Sequence, residues 1–154
     1  MNGNICDYRE ITNLSQRAIN ERFRFIHRYL CSVAASVSSG TFERTVNMIT
    51  TSTYAVGTNQ SNQVFTNEGA GDIVEFLLPP ASPGLEYTFI RSDVNGASII
   101  PDGTNTIRIG ATVSDPTSLL ESAAVGDAIT LVAVSNTSWV ATSNVGSWTI
   151  ITPP

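Results

Sequence analysis

Leu85-Glu86-Tyr87-Thr88-Phe89 alternates apolar and polar side chains without a break. Successive side chains of a strand point to opposite faces, so this run puts a leucine and two aromatics on one side and Glu86 and Thr88 on the other. Outward from it, turn chemistry recurs at short intervals: Pro79-Pro80 and Pro83-Gly84 before it, then Asn95-Gly96, Asp102-Gly103 and Gly126-Asp127 after it. Between these turns lie β-branched and aromatic runs that read as strands. They are Arg44 to Thr50, Asn62 to Thr66, Asp72 to Leu78, Leu85 to Arg91, Ala97 to Ile100, Thr106 to Ile109, Asp127 to Ser135, Ser138 to Thr142 and Ser147 to Ile151. A helical turn near Pro116 to Ser122 is the one exception. Short strands at this spacing predict an antiparallel β-sandwich or jelly-roll-like body. The echo between Ser135-Asn136-x-Ser138-Trp139 and Ser143-Asn144-x-x-Ser147-Trp148 reads as a terminal hairpin, and no solenoid period emerges.

Before Gly40 the chain differs in kind. From about Asp7 to Ser38 it contains neither proline nor glycine, which predicts one long N-terminal α-helix. Ile19, Phe23, Ile26, Leu30, Val33 and Val37 follow at alternating spacings of four and three, a heptad seam. Phe25 and Tyr29 widen that apolar face, and Arg17, Arg24 and Arg28 line it with positive charge. Two uses stay open: docking on the β-body or another protein, or a parallel bundle of symmetry mates. The chain is therefore divided into a helical arm, 1–40, for attachment and oligomerisation, and a β-body, 41–154.

Composition supports the division. Charged residues make up only 14 % of the 154 residues, and all eight basic residues are arginine. Ser, Thr and Asn together number 47, which suits half-buried strands with a polar, uncharged outer face. Residues 1–44 carry a net charge of +2 and residues 45–154 a net charge of −7. An acidic body repels phosphate backbones, so no nucleic-acid partner is expected. No apolar run reaches the roughly 20 residues that span a bilayer, so no membrane insertion is expected either. The opening Met1-Asn2-Gly3-Asn4-Ile5-Cys6-Asp7 lacks the basic and apolar segments of a secretory signal, and synthesis in a cytoplasm is expected. Cys6 and Cys31, about 37 Å apart if on one straight helix, read as reduced thiols.

Catalytic chemistry has little to work with. His27 is the one histidine; it and Cys31 stand four residues apart, two metal ligands at most without Cys6 or symmetry mates. Neither a metal nor another cofactor is expected. Paired carboxylates that cleave sugars lie about 5 to 9.5 Å apart, a spacing Glu75 and Glu86 reach if their strands are neighbours. Asp93 and Asp102 flank a turn in the same way. Acids on the wet face of an acidic β-protein are the plainer reading, and no enzyme is expected. Trp139 and Trp148 are candidates for stacking on sugar rings, although tryptophan in a small sandwich is more often core.

From Val64 onward the sequence resembles a β-sandwich module of tailed-bacteriophage virions. The resemblance is carried by Leu78-Pro79-Pro80-Ala81-Ser82-Pro83-Gly84-Leu85-Glu86-Tyr87-Thr88-Phe89, by Ile100-Pro101-Asp102-Gly103-Thr104-Asn105-Thr106-Ile107, by Val125-Gly126-Asp127-Ala128-Ile129-Thr130-Leu131-Val132, and by Trp139-Val140-Ala141-Thr142-Ser143 with Gly146-Ser147-Trp148. Such modules occur in tail fibre and tailspike tips and in capsid cement or decoration proteins, generally as homotrimers. The resemblance implies a homotrimeric cement protein made in the host cytoplasm. It would sit on the outer capsid surface, gripping the major capsid protein with the arginine-lined arm and touching host-surface glycans with the exposed body. A receptor-binding tail fibre or tailspike tip is the second reading, and a polysaccharide-degrading enzyme the third.

Overall fold

The computed structural model describes residues 43–152; those from Arg44 onward belong to one compact unit. The predicted N-terminal helix, its heptad seam and the division after residue 40 lie outside the described residues.

The described residues are mainly β. Twelve strands form two sheets, with a single 3-10 turn at Thr58–Gln60. The strands are β1 Val46–Met48, β2 Thr53–Ala55, β3 Gln63–Thr66, β4 Val74–Leu77, β5 Glu86–Ile90, β6 Ala97–Ile100, β7 Thr106–Ile109, β8 Thr112–Val113, β9 Leu119–Ser122, β10 Ala128–Ala133, β11 Ser138–Val145 and β12 Trp148–Ile151. Sheet A has the order β1-β3-β5-β10-β11-β7-β8, and sheet B the order β12-β9-β6-β4-β2.

Both sheets are mixed, which corrects the expected antiparallel arrangement. The first six strands alternate between the sheets, so β1, β3 and β5 are parallel neighbours in sheet A and β2, β4 and β6 are parallel neighbours in sheet B. A parallel pair needs a crossover of a dozen or more residues, normally a helix. Here each crossover is a strand of the opposite sheet, and the result is three stacked two-stranded coils, a short solenoid. The turn dipeptides read from the sequence all fall between strands of different sheets, so each pivots the chain from one sheet to the other instead of closing a hairpin. Antiparallel pairing begins where β10 joins β5 and β11, and where β9 joins β6 and β12. The expected helical turn near Pro116 to Ser122 is largely β9. The expected terminal hairpin does not form: β11 lies in sheet A and β12 in sheet B.

Stacked coils put equivalent side chains in rows. Phe65 and Phe89 pair directly across β3 and β5, with rings stacked at 5.5 Å. Phe76 from sheet B meets both, at 6.3 Å and 5.2 Å. Each such aromatic pair is worth about 0.5–1.5 kcal/mol beyond area burial, so this trio is a principal tie between the sheets. Tyr87 and Trp139 extend the cluster at 5.6 Å, and all five rings are fully buried.

The first coil is finished with polar groups. Asn47 takes the inward position in register with Phe65, and its amide donates to Gln63 Oε1 at 2.9 Å and the Val64 carbonyl at 3.2 Å. Beside it the Gln60 amide donates to the Tyr54 hydroxyl at 2.8 Å. A solenoid end without such a cap would present apolar side chains to water. Strands of three residues at both edges, β1 and β2, leave little unpaired backbone to recruit another chain.

Candidate interaction surfaces

Sheet A presents its outward side chains in cross-strand rows. One row reads Met48, Thr66, Ile90, Ala128 and Val145. The next reads Val46, Val64, Thr88, Thr130 and Ser143, with the Thr88 and Thr130 hydroxyls hydrogen-bonded to each other at 3.0 Å. The third reads Glu86, Val132, Val140, Arg108 and Val113. Composition pointed to a polar outer face; eight outward positions of these rows instead carry Val, Ile or Met, among them Met48, Val46, Val145 and Val113, all well exposed. Charge is sparse. Glu86 is the sole acid on the strands of sheet A and Arg108 the sole base. Arg44, just before β1, reaches Glu86 at 3.5 Å and also donates to the Thr88 hydroxyl and the Asn62 carbonyl.

Sheet B is different. Glu75, Ser98 and Glu121 share one outward row, beside a row that contains Ala55, Leu77 and Ile100 and the register pair Leu119 and Ile151. The backbone positions of Glu75 and Glu121 stand two strand spacings apart, about 9.6 Å across the sheet. Glu86, the partner weighed for Glu75 from sequence, belongs to the other sheet, so those two do not meet. Glu121 was missed because its place beside Ser98 depends on β9 pairing with β6, a contact between distant segments that no local pattern announces.

A cavity of about 490 Å³ is lined by Ile73, Arg91, Gly96, Glu121, Ser122, Ala123, Thr149 and Ile151. Arg91 is the natural anion-binding group there, but its guanidinium already donates to the carbonyls of Asp93, Val94 and Ser122. It is a clamp that holds the turn after β5 against β9. Asp93 and Asp102 likewise serve their own turns, accepting from Asn95 N at 3.1 Å and from the Thr104 hydroxyl at 2.8 Å.

Trp139 is wholly buried and Trp148 is 7 % exposed. Neither offers a ring face for a sugar, and neither indole N–H has a hydrogen-bond partner among the described residues. Both are core residues, one in each sheet. Ile19, Phe23, Ile26, Leu30, Val33, Val37, Arg17, Arg24 and Arg28 lie outside the described residues, as do His27, Cys6 and Cys31. Among the described residues no three His, Cys, Asp or Glu side chains are grouped to hold a metal ion, and no helix is long and apolar enough to cross a membrane.

Fold and surface together define, among the described residues, a mainly β body whose distinctive exposed features are broad sheet faces. No protein-family model matches the chain, and no curated protein matches it in sequence.

Proposed function

We propose that the protein is a structural component of a bacteriophage particle. In this reading it is a homotrimeric cement protein of the outer capsid surface whose N-terminal arm grips the major capsid protein and whose β-body is displayed. The observation that carries the reading is the outer face of sheet A, seven strands wide, rich in β-branched apolar side chains and nearly free of charge within an acidic body. A broad face of this kind suits contact with other protein surfaces better than it suits a small molecule, which binds in concave sites. The ordered motif series from Leu78 to Trp148 adds the resemblance to virion modules. Three weak attachments at a threefold position reinforce one another through effective concentration. Imaging of the assembled particle tests the reading: hundreds of copies at threefold capsid positions support it. A few copies at the tail would move the protein to a receptor-binding tip, and absence from the particle would end the proposal.

A further inference from the structure

Four consecutive positions in the third row of sheet A are self-complementary. Their order is Glu86, Val132, Val140, Arg108 on the consecutive strands β5, β10, β11 and β7. An acid and a base thus flank two valines over a stretch of the row about 14 Å long, with Val113 of β8 beyond Arg108. A twofold axis lying in the plane of the face, parallel to the strands and midway between β10 and β11, exchanges the ends. It sets Glu86 of each copy opposite Arg108 of the other and Val132 opposite Val140, which is the reciprocal pairing of an isologous interface.

We infer that this face is a contact between two copies of the chain, centred on Val132 and Val140. It deepens the reading of sheet A as a protein contact and names the partner. Charge selects a second copy over other occupants. Residues 45–154 carry a net charge of −7, so most approaches of two bodies are repulsive, whereas the strands of sheet A contribute one acid and one base. The Arg44 contact uses Oε1 of Glu86 and leaves Oε2 for the incoming Arg108. Among the described residues Arg108 has no carboxylate within ion-pair distance, and it is exposed. The face measures roughly 30 Å by 13 Å, a small area typical of weak contacts that gain strength in an array. On a particle the twofold contact joins bodies from neighbouring attachment sites.

Charge reversal in the full-length chain tests this. Sedimentation velocity is measured across concentration for the wild type, Arg108→Glu, Glu86→Arg, and an equimolar mixture of the two variants. The mass of the wild type grows with concentration, stopping at twice the basal mass if the basal unit is one chain and passing it if the basal unit is a trimer carrying three such faces. Each variant alone weakens that step at least about tenfold, because both charges at each contact now have the same sign. The mixture restores it, since one variant presents two acids and the other two bases. Absence of the step in the wild type up to about 1 mM, or equal behaviour in all four samples, overturns the inference. The basal mass is read at the lowest concentration, so failure of the trimer and failure of the twofold contact give different results.

Discussion

Gly146 and Asp127 occupy one space: a Cβ built on Gly146 would collide with the Asp127 carboxylate, lying 2.6 Å from its Cγ and 3.2 Å from its Cα. The carboxylate cannot swing aside without loss, because its Oδ2 accepts from the backbone N–H groups of Ala123 and Ala124 at 2.8 and 2.9 Å. Gly146 also has φ +75°, a conformation costly for other residues. The glycine therefore lets the end of β11 pass over the turn that opens β10. Gly146→Ala should destabilise the protein by about 3 kcal/mol, the sum of backbone strain and a broken turn. Urea unfolding measures it; a loss below about 1 kcal/mol would show that the close approach carries little.

Asn67 joins two coils with one buried side chain. Its Oδ1 accepts from the N–H groups of Ser92 and Asp93 at 2.8 and 3.1 Å, and its Nδ2 donates to the carbonyls of Asn95 and Gly96 at 2.6 and 3.3 Å. Removing the amide leaves several backbone groups without partners at a site that is fully buried. Asn67→Ala should cost on the order of 3 kcal/mol. Asn67→Asp should cost at least as much, because the carboxylate keeps the two acceptors but faces two carbonyls. Equal stability of wild type and both variants in thermal unfolding would remove the latch from this account.

Nine of the twelve strands were legible, and Ala97–Ile100 and Thr106–Ile109 had their bounds as read. Alternation is a local property, so Leu85 to Phe89 declared its buried face directly. The stacking was not legible, because its repeat is irregular: Val46, Val64 and Thr88 share a row at intervals of 18 and 24 residues, while Thr53, Glu75 and Ser98 share one at 22 and 23. Loops of changing length erase the period that self-comparison detects. Strands β2 and β8 are only three and two residues long, too short for a pattern. The surface rows were hidden for the same reason as the stacking. Glu86 and Arg108 gain their relationship from β5-β10-β11-β7 adjacency, which joins segments far apart in sequence.

Tyr87 makes stability depend on alkali. Burial raises its phenol above the ordinary value of 10.0, and its hydroxyl donates to the Gly57 carbonyl at 3.1 Å. The folded state thus holds this proton more firmly than the unfolded chain does. Its contribution is complete below pH 10.0 and is lost as pH rises from there through the folded-state value. Wild type should lose stability above pH 10 more steeply than Tyr87→Phe, which has no proton to release. Parallel pH profiles for the two proteins would remove Tyr87 as the cause.

Tryptophan fluorescence reports on the glycan question. The chain has two tryptophans, and both are buried. Emission should be that of an apolar environment, resist quenching by iodide, and shift to the red only on unfolding. Oligosaccharides from a host surface should leave it unchanged even where they bind, because neither ring can be reached without opening the core. Quenching by iodide or by a sugar in the folded protein would return Trp139 or Trp148 to the surface.

The N-terminal seam carries the remaining part of the proposed function. Ile26 and Leu30 lie at its centre, flanked by Arg24 and Arg28, so aspartate at both positions places charge where apolar contact is needed. The double variant Ile26→Asp/Leu30→Asp should lose trimer formation in light scattering and lose association with particles. The β-body should retain its far-ultraviolet circular dichroism and its unfolding midpoint, because Phe65, Phe76, Phe89, Tyr87 and Trp139 form a core of their own within Arg44–Pro154. A variant that still trimerises and still decorates particles would show that attachment resides in the sheet faces, and the apolar rows of sheet A would then be the first surface to mutate.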